Sequence, residues 1–149
     1  MGRREAIKEQ VFPPVTGPST VVRLTDIPEI ALAVETFAAH VGYSGVGSMD
    51  FMLDENGKPH AVEFNPRPAP LFRLGIHAGI DLAAALHDAF SGGTPAAPVP
   101  LASELVIPLF PEELIRDPTG AAFLECDLDV PIDEPQLMQA LTALASVMN

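Results

Sequence analysis

Asp50, Glu63 and Asn65 are residues whose types and spacing could do chemistry. All three carry oxygen donors, and oxygen-only ligand sets select hard cations such as Mg2+ or Mn2+. Whether they meet depends on the segment between them. Asn56-Gly57 lies midway. Asn-Gly is the strongest short-range signal for a two-residue type I′ hairpin turn, because both central positions need φ > 0. Such a turn pairs Glu55 with Lys58, Leu53 with His60, Phe51 with Val62, and Asp50 with Glu63. Side chains alternate between faces with period two. Phe51, Leu53, Val62 and Phe64 then form an apolar face that must pack on the core. Asp50, Met52, Ala61, Glu63 and Asn65 share the other face, with the two carboxylates roughly 5 Å apart at Cβ. Like charges so opposed destabilise a sheet unless a cation lies between them or both splay into water. Spacing leaves both readings open.

The elements that must position this hairpin, residues 46–65, follow from the flanking patterns. Residues 11–20 are rich in turn formers, and Thr20–Leu24 is a short strand candidate. Asp26 as N-cap and Pro28 in the first turn open a helix whose face is Ile30, Val34, Phe37 and Val41, ended by Gly42. Residues 66–80 form an irregular Pro/Gly segment. Asp81 caps a second helix carrying Leu82, Leu86 and Phe90, which stops at Ser91-Gly92-Gly93. Residues 91–100 are a linker or surface loop. Leu105–Phe110 reads as a strand interrupted by Pro108, and Pro111–Arg116 as one helical turn. A last helix, led by Pro135, presents Leu137, Leu141, Leu144 and Met148. These elements predict one α+β domain over residues 1–149, an antiparallel sheet with a central hairpin flanked by helices.

Composition narrows the function classes. The chain has 149 residues, 48% of them hydrophobic, enough for a core despite 16 prolines. Its net charge of −12 makes nucleic acid and anionic membranes poor partners, since both bind through Lys and Arg. Residues 1–73 carry −2 and residues 74–149 carry −10, with Arg116 the single base of the second half. A site for an anion therefore belongs in the first half, near Arg67 and Arg73. One cysteine, Cys126, excludes an internal disulfide framework. The N-terminal residues lack the apolar run of a signal peptide, and no stretch is long and apolar enough to span a bilayer. The expected location is the cytoplasm.

The segment Gly45-Val46-Gly47-Ser48-Met49-Asp50-Phe51, with Asn56-Gly57 and Glu63-Phe64-Asn65-Pro66-Arg67, resembles the metal- and nucleotide-binding hairpin of the ATP-grasp superfamily. The shared pattern is G-x-G-x-x-D/E-F, a turn ending in Gly, then E-x-N-x-R. Val41-Gly42-Tyr43 before it and Ala78-Gly79-Ile80-Asp81-Leu82 after it are similar to the usual flanks. Leu109–Glu113 and Val130–Pro135 are similar to a carboxylate–amine-ligase-like branch. The resemblance covers residues 10–95 and implies the C-terminal lobe of an ATP-grasp module, with 96–149 an extension packing on it. It implies that Asp50, Glu63 and Asn65 ligate Mg2+ (or Mn2+) bridging the phosphates of ATP, with Glu63 touching both ions of a pair, so that Glu63 and Asn65 bind the cofactor through the metal. Met52 would lie under the adenine, or else pack in the core. Arg67 would be the catalytic residue, stabilising the phosphate as it transfers to a small carboxylate substrate. The acyl phosphate would then meet an amine or similar nucleophile.

The resemblance is incomplete. Such enzymes grip the nucleotide between two lobes, and the first supplies a phosphate-binding lysine and a glycine-rich loop. Here the lysines are Lys8 and Lys58, and nothing before residue 10 could encode that lobe. The expectation is a ligase lobe inactive by itself, completed by self-association or by the missing N-terminal lobe. The alternative is a non-catalytic module that keeps the hairpin for binding or assembly.

Other candidates rank lower. Arg73 could reach a substrate carboxylate or pair with a surface acid. His77 has a site role or is solvated, and His60 falls on the core face near the turn. His40 and His87 lie in helices without chemical company. Gly17-Pro18-Ser19-Thr20 lacks the Gly-Lys-Ser/Thr ending of a P-loop. Cys126 lies among Glu125, Asp127 and Asp129, a poor setting for a thiolate. Arg3, Arg4 and Lys8 read as a solvated start.

Overall fold

A computed structural model describes residues 5–148 apart from 95, 98 and 100. Arg3, Arg4, the three linker prolines and the Met148 side chain lie outside the described residues. The fold is α+β. The strands, however, form two small sheets rather than one sheet with the hairpin at its centre. The chain divides into two compact units, Met1–Glu5 with Asp26–Ala102, and Ala6–Thr25 with Ser103–Asn149. Residues 10–25, grouped with the hairpin by the resemblance, thus fall in the second unit.

The second unit contains strands β1 (Glu5–Val11), β2 (Ser19–Thr25) and β5 (Leu105–Pro108) in the order β1-β2-β5. β2 alternates as a half-buried strand should: Thr20, Val22 and Leu24 are buried, while Val21 and Arg23 are less so. It pairs antiparallel with β5, Val22 opposite Ile107 and Val21 opposite Pro108. Pro108 ends an edge strand, where a missing N–H is tolerated. β1 was not expected, because Glu-Ala-Ile-Lys-Glu-Gln-Val carries few strand formers. It is an edge strand, where charged residues are the rule. Arg23 ties the sheet together, donating to Glu9 at 2.6 Å and to Glu104 at 3.2 Å.

Beyond β5, α3 (Glu112–Arg116) and α4 (Pro135–Met148) follow, with a 3₁₀ turn at Ala121–Leu124 between them. Phe110, Leu114 and Ala145 are buried together, with Phe123, Met138 and Leu141 packed against them. The buried face of α4 is therefore Met138, Leu141 and Ala145. Leu137 and Leu144, expected on it, are 45% and 50% exposed. A stripe of Leu residues and a stripe containing Ala145 compete for the inside, and the small residue allows the closer approach. Glu113 is buried, with 1% of its surface exposed, and its carboxylate accepts from both Nε and Nη2 of Arg116.

The first unit is built from α1 (Pro28–Val41), β3 (Ser48–Leu53), β4 (Pro59–Asn65), a 3₁₀ helix over Pro70–Ala78, and α2 (Leu82–Ser91). Pro28 begins α1 and Gly42 ends it at φ 63°. The N-cap is Ile27, whose side chain cannot cap, rather than Asp26. Ile30, Val34 and Phe37 are partly buried and Ala31 fully, but Val41 is 51% exposed. The irregular segment after the hairpin is in fact the 3₁₀ helix, and it supplies the buried Leu74 and Ala78, with Ile80 following. Asp81 caps α2 by accepting from the Ala84 N–H at 2.8 Å, and Gly92 ends it at φ 75°, both as expected. Phe90 does not join its inner face and is 85% exposed.

Candidate metal and nucleotide site

β3 and β4 pair antiparallel with Ser48 opposite Asn65, Met49 opposite Phe64, and Asp50 opposite Glu63. Cross-strand partners share a face, so Asp50 and Glu63 lie side by side with Asn65 on the next rung of that face. These are the neighbours the sequence predicted. Both carboxylates are exposed, and neither has an ion-pair partner among the described residues.

The rest of the register differs. Beyond the Asp50–Glu63 rung the pairing shifts by one, Phe51 facing Ala61, Met52 facing His60 and Leu53 facing Pro59. Val62 is the extra residue of a bulge, which leaves it unpaired; it is 61% exposed. Leu53 is 45% exposed as well, so the expected apolar face shrinks to Phe51 and Phe64. The cause is the turn. Gly57 donates to the Asp54 carbonyl at 2.9 Å, and Asp54 donates to the Lys58 carbonyl at 3.0 Å. This is a type I turn closed by Gly57 at φ 78°, a three-residue loop rather than the two-residue Asn-Gly loop. The Asp54 carboxylate accepts from the backbone N–H groups of Asn56 and Lys58 at 2.9 and 3.0 Å. That Asx arrangement outcompetes the type I′ alternative.

The shift moves His60. It pairs with Met52, on the face of Asp50, and its Nε2 lies 3.0 Å from Asp54 Oδ2. His60, placed on the core face by the two-residue turn, is thus an exposed member of the candidate site face. The signal that could have found it is Asp54 with Gly57 three residues on, the preferred ends of a type I turn. The Asp54 carboxyl is held below the usual carboxylate range, chiefly by the His60 hydrogen bond and then by the Lys58 and Asn56 amides.

The glycines of the opening Gly45-x-Gly47 have separate reasons. Gly45 adopts φ 142°, a conformation that L side chains rarely adopt. A Cβ on Gly47 would sit 2.9 Å from the Asn65 carbonyl oxygen and 3.0 Å from the Phe64 ring. Only glycine lets the chain entering β3 lie that close to Asn65. The Tyr43 hydroxyl donates to the Val46 carbonyl at 2.8 Å, holding the same entry loop. Phe64 anchors the hairpin on its other face. Its ring lies 5.0 Å from Phe37 of α1 and 4.9 Å edge-on to Tyr43.

Met52 is 67% exposed, which removes core packing as its role. Arg67 is exposed just beyond Asn65, where its backbone N–H donates to the Asn65 carbonyl at 2.8 Å. Arg73 donates to the Pro70 carbonyl at 2.6 Å, a local bond within the 3₁₀ helix. His77 is exposed in the last turn of that helix, and His87 lies 3.6 Å from Asp88. Gly17 belongs to the loop before β2, where a Cβ would collide with the Phe12 backbone; it has the structural role expected of a turn.

Two opposed carboxylates with an amide on the next rung fit a hard cation, because a cation would neutralise an otherwise repulsive rung. Among the described residues, no group of three or more His, Cys, Asp and Glu side chains is placed to hold a metal. Protein ligands at the hairpin would therefore fill at most half of an octahedral shell. No helix among the described residues is long and apolar enough to cross a membrane. The chain matches no protein-family model, no curated protein and no solved structure.

Proposed function

We propose that the hairpin binds a Mg2+–nucleotide complex and that the chain is the ATP-binding lobe of an ATP-grasp-type ligase. The observation that carries this reading is the Asp50–Glu63 rung, two exposed carboxylates directly opposed with no ion-pair partner among the described residues. In this reading Asp50, Glu63 and Asn65 hold the ion, and a bound Mg2+ neutralises charge on the phosphate oxygens. Met52, two residues along the same face, offers an apolar surface for the base. Arg67 stands beyond Asn65, where a guanidinium can meet phosphate as it passes to a carboxylate. Glycine at 47 keeps Asn65 in register with the rung.

Asp50, Met52, Glu63 and Arg67 are all exposed, so a nucleotide bound here by this chain would face water. Phosphoryl transfer to a carboxylate needs in-line alignment and water exclusion. That openness favours a second reading, a binding module without catalysis, and both readings expect the purified chain not to turn over ATP.

The test is an NMR titration with Mn2+, first alone and then with ATP. Paramagnetic broadening should begin at Asp50, Glu63 and Asn65 and, with ATP present, perturbation should extend to Met52 and Arg67. Glu63→Gln should remove the broadening at all three ligands. Broadening that survives in that variant places the metal elsewhere and ends the proposal.

A further inference from the structure

α4, Pro-Gln-Leu-Met-Gln-Ala-Leu-Thr-Ala-Leu-Ala-Ser-Val-Met, carries no charged residue. It has two apolar stripes. Met138, Leu141 and Ala145 face the core with Phe110 and Leu114. Leu137, Ala140, Leu144 and Val147, spaced by three, four and three residues, form a second stripe that is exposed, Val147 to 84%. A surface helix sets charged and polar residues against solvent, and one with a second apolar stripe and no charge is suited to being covered again. The turn leading into α4 is acidic. Asp127, Asp133 and Glu134 are exposed and have no ion-pair partner among the described residues. Ile132, also exposed, stands among them. Residues 117–149 contain no Lys, Arg or His.

Charge decides what covers this stripe. A second copy is disfavoured in either orientation. Parallel pairing of two α4 helices would bring two Asp133-Glu134 pairs together. Antiparallel pairing would set each pair against the negative end of the other helix dipole, where no base stands. We infer that the exposed stripe of α4 docks an amphipathic helix of a basic partner. The partner helix lies antiparallel, with its apolar face on Leu137, Leu144 and Val147 and Lys or Arg of its last turn beside Asp133 and Glu134. That arrangement offsets the carboxylates and places cations at the partner's own C-terminus, where its dipole favours them. Ala140, the small residue of the stripe, lets the helices approach to about 8 to 9 Å. Recognition then rests on anchors at helical spacing. The stripe is about 15 Å long, from the helical rise. It belongs to the small, weak class of interfaces, with dissociation expected at about 10⁻⁵ to 10⁻³ M.

The probe is a synthetic helix as long as α4, with Leu at spacings of three and four, Gln and Ala elsewhere, and Lys in its last turn. A twin peptide carries Glu in place of Lys. Each is titrated into the isotope-labelled full chain and followed by NMR. The Lys peptide should shift amide resonances of α4 and of residues 127–134. At low salt it should bind at least about 10-fold more tightly than the Glu peptide, and the difference should narrow in about 1 M salt. Leu144→Gln should weaken the Lys peptide at least about 10-fold, and Val147→Gln about 3-fold or more. Both positions are exposed, so both variants keep the fold. Asp133→Asn with Glu134→Gln should remove the preference for Lys over Glu and leave the apolar contact in place. A Lys peptide that binds no better than its Glu twin, or shifts that centre away from α4, would overturn the inference. Binding indifferent to both Leu144→Gln and Val147→Gln, or a preference that survives the double change, would do the same. So would a homodimer in sedimentation equilibrium that Leu144→Gln dissociates, because the stripe would then belong to a second copy.

Discussion

The two units handle acidic side chains in opposite ways. In the second unit Glu113 is almost wholly buried, and Arg116, the single Lys or Arg after residue 73, donates to it from both Nε and Nη2. In the first unit Asp50 and Glu63 oppose each other on an exposed face, with no ion-pair partner among the described residues. A buried carboxylate must have its counter-ion inside the fold, because desolvation is costly. An exposed pair can wait for a cation from solution. The contrast separates a carboxylate that builds the protein from two that the proposed function assigns to an ion from solution.

Core substitutions should widen the contrast most. Ile107→Ala removes a fully buried side chain opposite Val22 and should cost about 2–5 kcal/mol in chemical denaturation. Val62→Ala, at the exposed bulge, should change stability by no more than about 0.5 kcal/mol. Equal losses at the two positions would mean that the hairpin face is not open as described.

The acids themselves come next. Glu113→Ala leaves Arg116 without its partner beside the core and should destabilise by about 1–3 kcal/mol. Asp50→Ala should stabilise slightly or do nothing, within about 0.5 kcal/mol, because it relieves like-charge opposition. It should also abolish Mn2+ broadening at Glu63. A marked loss of stability on Asp50→Ala would show that its carboxylate has a structural partner after all. Gly47→Ala sits between these effects. Its methyl would meet the Asn65 carbonyl, so about 1–3 kcal/mol and displaced Asn65 resonances are expected.

The smallest expected effect is on pH. The Asp54 carboxyl is depressed in the folded protein, first by His60 and then by the Lys58 and Asn56 amides. A depressed carboxyl contributes stability above its unfolded pKa of about 3.9, and this is lost as pH falls through the lower folded value. Asn56 and Lys58 amide resonances should therefore move together only below the ordinary carboxylate range, and Asp54→Ala should remove that movement. Titration at or above the ordinary carboxylate value would contradict the turn hydrogen bonds.

Much of the architecture was legible locally. Gly42 and Gly92 end helices, Asp81 caps one and Pro28 opens another, each for reasons contained within one turn of chain. The Asp50–Glu63 rung was also legible, although by an incomplete route. The predicted turn was wrong by one residue, and the Val62 bulge restores the count before the strands reach Asp50. What failed were choices that depend on distant partners. β1 is a strand because β2 and Arg23 receive it, and its own residues argue weakly for one. Likewise α4 buries Ala145 rather than Leu144 because Phe110 and Leu114 leave room for a small side chain.

By itself, then, the sequence determined that Asp50 shares a face with Met52 on one strand and Glu63 with Asn65 on the other, because alternation along a strand is a property of the backbone. It also determined where helices stop, because glycine alone reaches the left-handed region without strain. Tertiary structure decided the faces. Whether β1 is received as a strand and which stripe of α4 is buried depend on contacts between segments far apart in the chain, whereas the shift that brings His60 to the Asp50 face follows from the local Asp54–Gly57 turn. Burial is settled between elements, and no single element carries enough information to settle it alone.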